Sequence, residues 1–228
     1  MVSAHTLTKK FGDLIAVNGV SFSIDPGEFV FLTGHSGSGK TTLLRLILRE
    51  LRPDTGKLTV DGKDTSQLKV KDLPAFRRAI GPVFQDYKLL LDRNIWENVA
   101  LPLEVRGVKP ADIHSAVRMA LDLVGLAKKI DMFPGQLSGG ELQRVAIARA
   151  IVGKPKLILA DEPTGNLDPK TAKDIAKLLK DLHSELKTTV IMATHNAEIV
   201  DQFTLRVITL DSGKLINDTP KGKYDQAS

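Results

Sequence analysis

The chain has 228 residues, 42% of them hydrophobic and 26% charged, which suffices to bury the core of one large α/β domain and argues against extensive disorder. It has no cysteine, which excludes disulfides and thiolate-held zinc and fits a reducing cytosolic compartment; no run of about eighteen apolar residues occurs, so neither a membrane span nor an export signal is expected. The formal charge of +5 is scattered, with small basic groups at 69–78 and at the C-terminus, and reads as a solvated surface; no nucleic-acid partner is expected.

In chain order, the N-terminal third reads as strands. VNGVSFSI alternates, PGE makes a turn, and FVFLTG is a short apolar run that stops at glycine. KTTLLRLILREL then repeats leucine and isoleucine at helical spacing until the breaker RPDTG, and LTVDGK reads as a strand running into a DG turn. Between about 86 and 153 the spacing turns helical, in NIWENVALPLEV, ADIHSAVRMALDLVGL and GELQRVAIARAIV. From 156 the alternation resumes: strand KLILA, helix DPKTAKDIAKLLKDLHSEL, strand TTVIMAT, helix NAEIVDQF and hairpin LRVITLDSGKLI. Strands alternating with helices imply a parallel sheet with helices on its faces. The expected organisation is one domain over 1–228, with a core from about 1–85 and 154–228 split by a helical subdomain at about 86–153.

Several stretches carry chemistry. GHSGSGKT at 34–41 fits the phosphate-binding pattern G-x-x-x-x-G-K-[ST] and lies between an apolar strand and a helix, where a phosphate needs it. Its glycines let backbone N–H groups turn inward, the helix N-terminus adds partial positive charge, Lys40 reaches towards β and γ phosphates, and the Thr41 hydroxyl suits Mg²⁺. KLILADEP ends a buried strand in Asp161, a candidate metal ligand, and Glu162, a candidate general base if the strand end turns it towards the phosphates. His195 follows TTVIMAT at the same sheet edge, where it is either a surface residue or a contact to the γ-phosphate or to Glu162. Gln85, in VFQDY, is a metal ligand, a holder of the attacking water or an exposed boundary residue, and Phe11 either stacks on a base or closes the sheet. LSGGELQ at 137–143 places a second glycine pair before a helix in a chain that already has one phosphate loop.

GHSGSGKT, Gln85, LSGGELQ, LADEP, NLD at 166–168 and His195, in that order, resemble the ATP-binding cassette (ABC) ATPases over nearly the whole chain. The resemblance implies the P-loop NTPase core of that family, with an antiparallel β region and an inserted helical subdomain, and it implies hydrolysis of ATP with Mg²⁺. It assigns Gly34, His35, Ser36, Gly37, Ser38, Gly39, Lys40, Thr41 and Thr42 to the triphosphate, Phe11 to adenine, and Asp161, with Thr41 and Gln85, to the metal. Glu162 becomes the catalytic glutamate, His195 the switch histidine, Gln85 a sensor of metal and membrane partner, and Lys40 a catalytic cation. Two such subunits sandwich ATP head to tail, so that Ser138, Gly139 and Gly140, with Asp168 nearby, complete the opposite subunit's site. The finer resemblance, carried by DYKLLLDRNIWENVALPLEV and DEPTGNLDP, is to the cell-division branch, whose ATPase works on the cytoplasmic face of the membrane through an integral membrane partner. Lipoprotein-release and macrolide-export ATPases are the nearest alternative. The resemblance implies that the partner docks beside Gln85, with Phe84, Tyr87, Leu89 and Leu90 as candidate contacts, Leu89 and Leu90 being equally readable as core of the helical lobe. One departure stands out: the family signature reads LSGGQ, and here position 141 is Glu, so Ser138 and the glycine N–H groups keep their contacts while the side-chain amide is lost.

Overall fold

The computed structural model describes residues 1–224. Two sheets organise them. Strands β1 (Val2–Phe11), β2 (Leu14–Ile24), β4 (Thr55–Val60) and β5 (Lys63–Asp64) form an antiparallel sheet in the order β2-β1-β4-β5. The second sheet has the order β10-β9-β3-β8-β7-β6, from β3 (Phe29–Thr33), β6 (Ile80–Val83), β7 (Leu157–Asp161), β8 (Thr189–Ala193), β9 (Arg206–Asp211) and β10 (Lys214–Thr219). Its pairs are parallel except the hairpin β9–β10. The helices are α1 (Lys40–Ile47), α2 (Leu73–Arg77), α3 (Ile95–Glu104), α4 (Pro110–Leu123), α5 (Gly139–Ile151), α6 (Pro169–Leu186) and α7 (Ala197–Phe203).

The strand period decides the layering. Alternate side chains point to opposite faces, so Leu157 and Leu159 of β7 join one core with α1 and the antiparallel sheet, while Ile158 and Ala160 join another with α3, α4, α5, α6 and α7. The central strands are therefore buried on both sides, and every residue of β3 and β8 is buried, as expected for a parallel sheet covered on both faces. The observed fold is the α/β cassette fold that the motifs imply, with the antiparallel sheet added on one side.

Two details differ from the sequence expectation. Helix α1 ends at Ile47, four residues before Leu51, and Arg49 then takes a left-handed backbone with φ 57°. Strand β6, IGPV, was not anticipated because it is short and contains Pro82; proline is tolerated there because β6 is the edge of its sheet and needs hydrogen bonds on one side only.

This topology brings the C-terminal ends of β3, β7 and β8 side by side. Loops leaving that edge carry the candidate chemistry, in keeping with the general placement of ligands in open α/β sheets.

Candidate nucleotide-hydrolysis site

The loop from β3 to α1 turns through three glycines with positive φ: Gly34 at 137°, Gly37 at 81° and Gly39 at 104°. At Gly34 and Gly39 a side chain would also collide with the carbonyls of Leu210 and Ala16, so both backbone conformation and space demand glycine. The loop is braced from behind, because Gly213 N–H donates to the Ser38 carbonyl (3.1 Å) and Asn18 N–H to the Gly213 carbonyl (2.8 Å). Ser38 is fully buried and its Oγ has no partner within the described residues.

Lys40, the first residue of α1, is only 6% exposed. Its Nζ donates to the carbonyls of Gly34 (2.7 Å) and His35 (3.0 Å) and lies 3.5 Å from Glu162 Oε1. The amine thus spans the loop and the β7 edge, at the centre of the cleft.

Glu162 answers the question of how two consecutive carboxylates can serve one site. In a continued strand it would point away from Asp161. Instead its backbone adopts φ 47°, and the carboxylate swings into the cleft, where Oε2 accepts from His195 Nδ1 at 2.9 Å. A left-handed glutamate costs local strain, which the fold sustains by holding Glu162 N–H on the Ala193 carbonyl of β8 (3.0 Å). Asp161 itself accepts from Thr41 Oγ1 at 3.0 Å. Burial, and then repulsion from Glu162, push the Asp161 carboxyl above the usual range, against the opposing hydrogen bond from Thr41 and the charge of Lys40. A desolvated carboxylate beside a hydroxyl and short of positive charge is a fitting donor set for a hard cation.

Gln85 joins the same region from the β6 end, and its Nε2 donates to Asn166 Oδ1 at 3.3 Å. Thr41, Gln85 and Asp161 line one hollow of about 770 Å³. A neighbouring cleft of about 1020 Å³ also includes Thr41 and Gln85, and adds Phe11, His35, Lys40, Glu162 and His195. Phe11 ends β1, paired with Leu14, and is 44% exposed at the rim of this cleft with Lys9 Nζ 5.4 Å above the ring, so it closes the sheet and leaves ring surface free to stack.

His35 shows a further feature of the loop. Its Nδ1 is 2.6 Å from the Ser36 carbonyl and its Nε2 is 2.7 Å from Asp211 Oδ1, so both ring nitrogens face acceptors. The Ser36 carbonyl first, and Asp211 second, hold the imidazole protonated above its usual range.

Some expected residues stand apart. Ser138, Gly139 and Gly140 open α5 and do not line this cleft; Gly139 faces the Tyr87 hydroxyl, and Gly140 faces the Thr171 methyl. Asp168 caps α6, accepting from the N–H groups of Lys170 and Thr171, both at 3.1 Å. Conversely, Tyr224 and Ser212 line the cleft and were not anticipated as site residues. Tyr224 follows the last strand, and no spacing signal connects it to the loop; it arrives there because its backbone N–H is held by Asp201 of α7 at 2.7 Å. Glu162 and Tyr224 are close enough that, after burial, the carboxylate charge helps raise the phenol above its usual range.

The site therefore presents a glycine loop at a helix start, a central ammonium, a hydroxyl–carboxylate pair and a glutamate–histidine pair, a set suited to binding a polyphosphate and deprotonating water beside it. The ABC transporter family matches residues 17–165. Among characterised relatives, the cell division ATP-binding protein FtsE of Streptococcus pneumoniae is 46% identical over 98% of this chain and 97% of its own length. FtsE of Bacillus subtilis is 49% identical over 92% of this chain and 91% of its own. A solved dimeric ATP-binding cassette in a post-hydrolysis state bound to ADP and Pi is 36% identical, covers 98% of this chain and 100% of its own, and superposes with a TM-score of 0.87.

Proposed function

Since this chain belongs to the ABC transporter family and is an ATPase, we propose that it powers a membrane-bound cell-division complex, as the partner of an integral membrane protein of the FtsX type. ATP is its nucleotide. The observation that carries the catalytic assignment is the left-handed Glu162, turned into the cleft between Lys40 and His195. Glu162 takes the proton of the attacking water, and His195 orients its carboxylate from Nδ1. Lys40 leaves the loop carbonyls for the β and γ phosphates, which the N–H groups of residues 34–42 surround, and Phe11 supports the adenine.

Thr41, Gln85 and Asp161 would hold Mg²⁺, which would offset phosphate charge. Their fit to it is the half-buried Asp161 carboxylate hydrogen-bonded to the Thr41 hydroxyl, with Gln85 lining the same hollow. Ser138, Gly139 and Gly140, with Asp168, serve the cleft of a second copy of the chain; none of them lines this chain's own cleft, which supports that reading. The solved relative described as dimeric supports it too.

No helix of the described residues is long and apolar enough to cross a membrane. We place the integral membrane partner in the groove between β6 and α3. This groove of about 520 Å³ is lined by apolar residues that include Phe84, Pro102 and Val105 and by the basic Arg77, Arg78 and Lys88. Of the expected contacts, Phe84 lines it; Leu89 instead packs against the core, and Tyr87 and Leu90 are not among its lining residues. The complex places this subunit on the cytoplasmic face, where conformational change driven by ATP activates cell-wall hydrolases across the membrane. Affinity purification from membranes tests the assignment: an FtsX-type protein co-purifies and stimulates ATP hydrolysis by this chain. Recovery of a lipoprotein-release or macrolide-export permease would replace it with that transport role.

A further inference from the structure

The signature helix begins on an ion pair that its sequence pattern does not announce. Glu141 Oε2 accepts two hydrogen bonds from Ser138, one from its N–H and one from its Oγ, both at 3.1 Å. Glu141 Oε1 accepts from Lys129 Nζ at 2.5 Å. The lysine first, and then the Ser138 N–H, hold the carboxyl below its usual range, so Glu141 is an anion. Lys129 is not on a free loop: it ends a 3-10 turn over Ala127–Lys129, and the following residues are tied to α3, with Trp96 N–H on the Ile130 carbonyl (3.0 Å) and Ile95 N–H on the Met132 carbonyl (2.8 Å).

This arrangement has a consequence for a phosphate arriving at Ser138. A serine hydroxyl has one proton to donate, and here it is given to Glu141. To donate to a phosphate, the hydroxyl must rotate away, leaving a carboxylate that repels the newcomer at hydrogen-bond range and has lost a donor. Glutamine at this position would carry no charge and raise no such difficulty. Lys129 supplies the missing compensation, because it keeps Glu141 neutralised and anchored while the hydroxyl turns.

We propose that Lys129 is a positioning residue for the ATP-bound dimer: by pairing with Glu141 it lets an acidic signature residue coexist with the phosphate that Ser138 receives from the second subunit. The proposal rests on the reading that Ser138 meets that phosphate. Its test uses the full chain carrying Glu162→Gln, with the ATP concentration for half-maximal dimerisation read by sedimentation in Mg²⁺. Adding Lys129→Met raises that concentration about tenfold, as expected for removing one member of a coupled pair. Lys129→Arg stays near the parent, and Lys129→Met with Glu141→Gln returns to it. Dimerisation of Lys129→Met at the parent concentration overturns the proposal, and so does a loss that Glu141→Gln fails to rescue, which marks the lysine as merely structural. Should Lys129→Met not fold by thermal melting, Glu141→Gln alone decides: it dimerises at equal or lower ATP, and a higher requirement overturns the proposal. Ser138→Arg separates the two layers. If it abolishes the dimer while Lys129→Met does nothing, only the role of Lys129 falls; if it leaves the dimer intact, the reading of Ser138 falls and takes the proposal with it.

Discussion

Glu162 and Asp161 are neighbours in the chain with opposite duties, and a single backbone angle separates them. Asp161 keeps the strand direction and meets Thr41, while Glu162 at φ 47° meets His195. Glu162→Gln preserves size and most contacts but cannot accept a proton, so turnover falls by roughly 10²–10⁴-fold, the usual range for a lost general base, with ATP affinity retained; phosphate release and nucleotide binding measured on one sample check this. Asp161 is the costlier residue for stability. Asp161→Asn keeps an acceptor for Thr41 and removes a desolvated charge, so it stabilises the free chain at neutral pH by on the order of 1 kcal/mol while abolishing metal-dependent hydrolysis. Because the native carboxyl is raised, the advantage shrinks as pH falls and Asp161 takes up its proton; thermal melting against pH shows the trend. His35 works in the opposite sense. Its folded pKa lies above the ordinary 6.5, so its contribution is fully present below pH 6.5 and is lost as pH rises through the folded value. The melting difference between the parent and His35→Asn therefore narrows from pH 6 to alkaline pH.

At the scale of elements, what holds the loops in place is polar as much as apolar. Asn98 of α3 is fully buried, and its amide binds the Leu90 N–H and the carbonyls of Leu90, Arg93 and Asn94. Asn98→Ala leaves the Leu90 N–H and the Arg93 carbonyl without this partner, while the Asn94 and Leu90 carbonyls keep the N–H groups of residue 98 and Arg93, and costs about 1–3 kcal/mol by denaturant unfolding. Gly39→Ala acts more locally: it asks alanine to adopt φ 104° against the Ala16 carbonyl, and it weakens nucleotide binding more than global stability. Asn98 shows one limit of sequence reading. Its place in NIWENVALPLEV marks a helix, but the four backbone groups it serves are brought together only by the loop before that helix. The glycine loop, the β7 carboxylates and His195 were legible because one local period and one turn carry each of them. Strand β6 was not, since a proline in four residues reads as a break unless the strand is known to be an edge. Tyr224 and the Lys129–Glu141 pair were invisible for a different reason: their partners lie far along the chain, and no periodicity links them.

Taken whole, the molecule divides its chemistry between separated surfaces. One cleft gathers the loop, Glu162 and His195, with Asp161 in the hollow beside it; the signature helix lines neither, and its serine is already bound to an anion. A groove of mixed apolar and basic character occupies the β6–α3 side. On the proposed reading a chain built this way gains a complete site only by meeting a second copy, and that claim is open to one direct measurement. The mass of the Glu162→Gln variant at saturating ATP and Mg²⁺, read by sedimentation equilibrium, is predicted to be twice the 24.8 kDa of the single chain. It returns to the single-chain value with ADP. A variant that binds ATP yet stays at the monomer mass would contradict the composite site and leave the second glycine pair without its role.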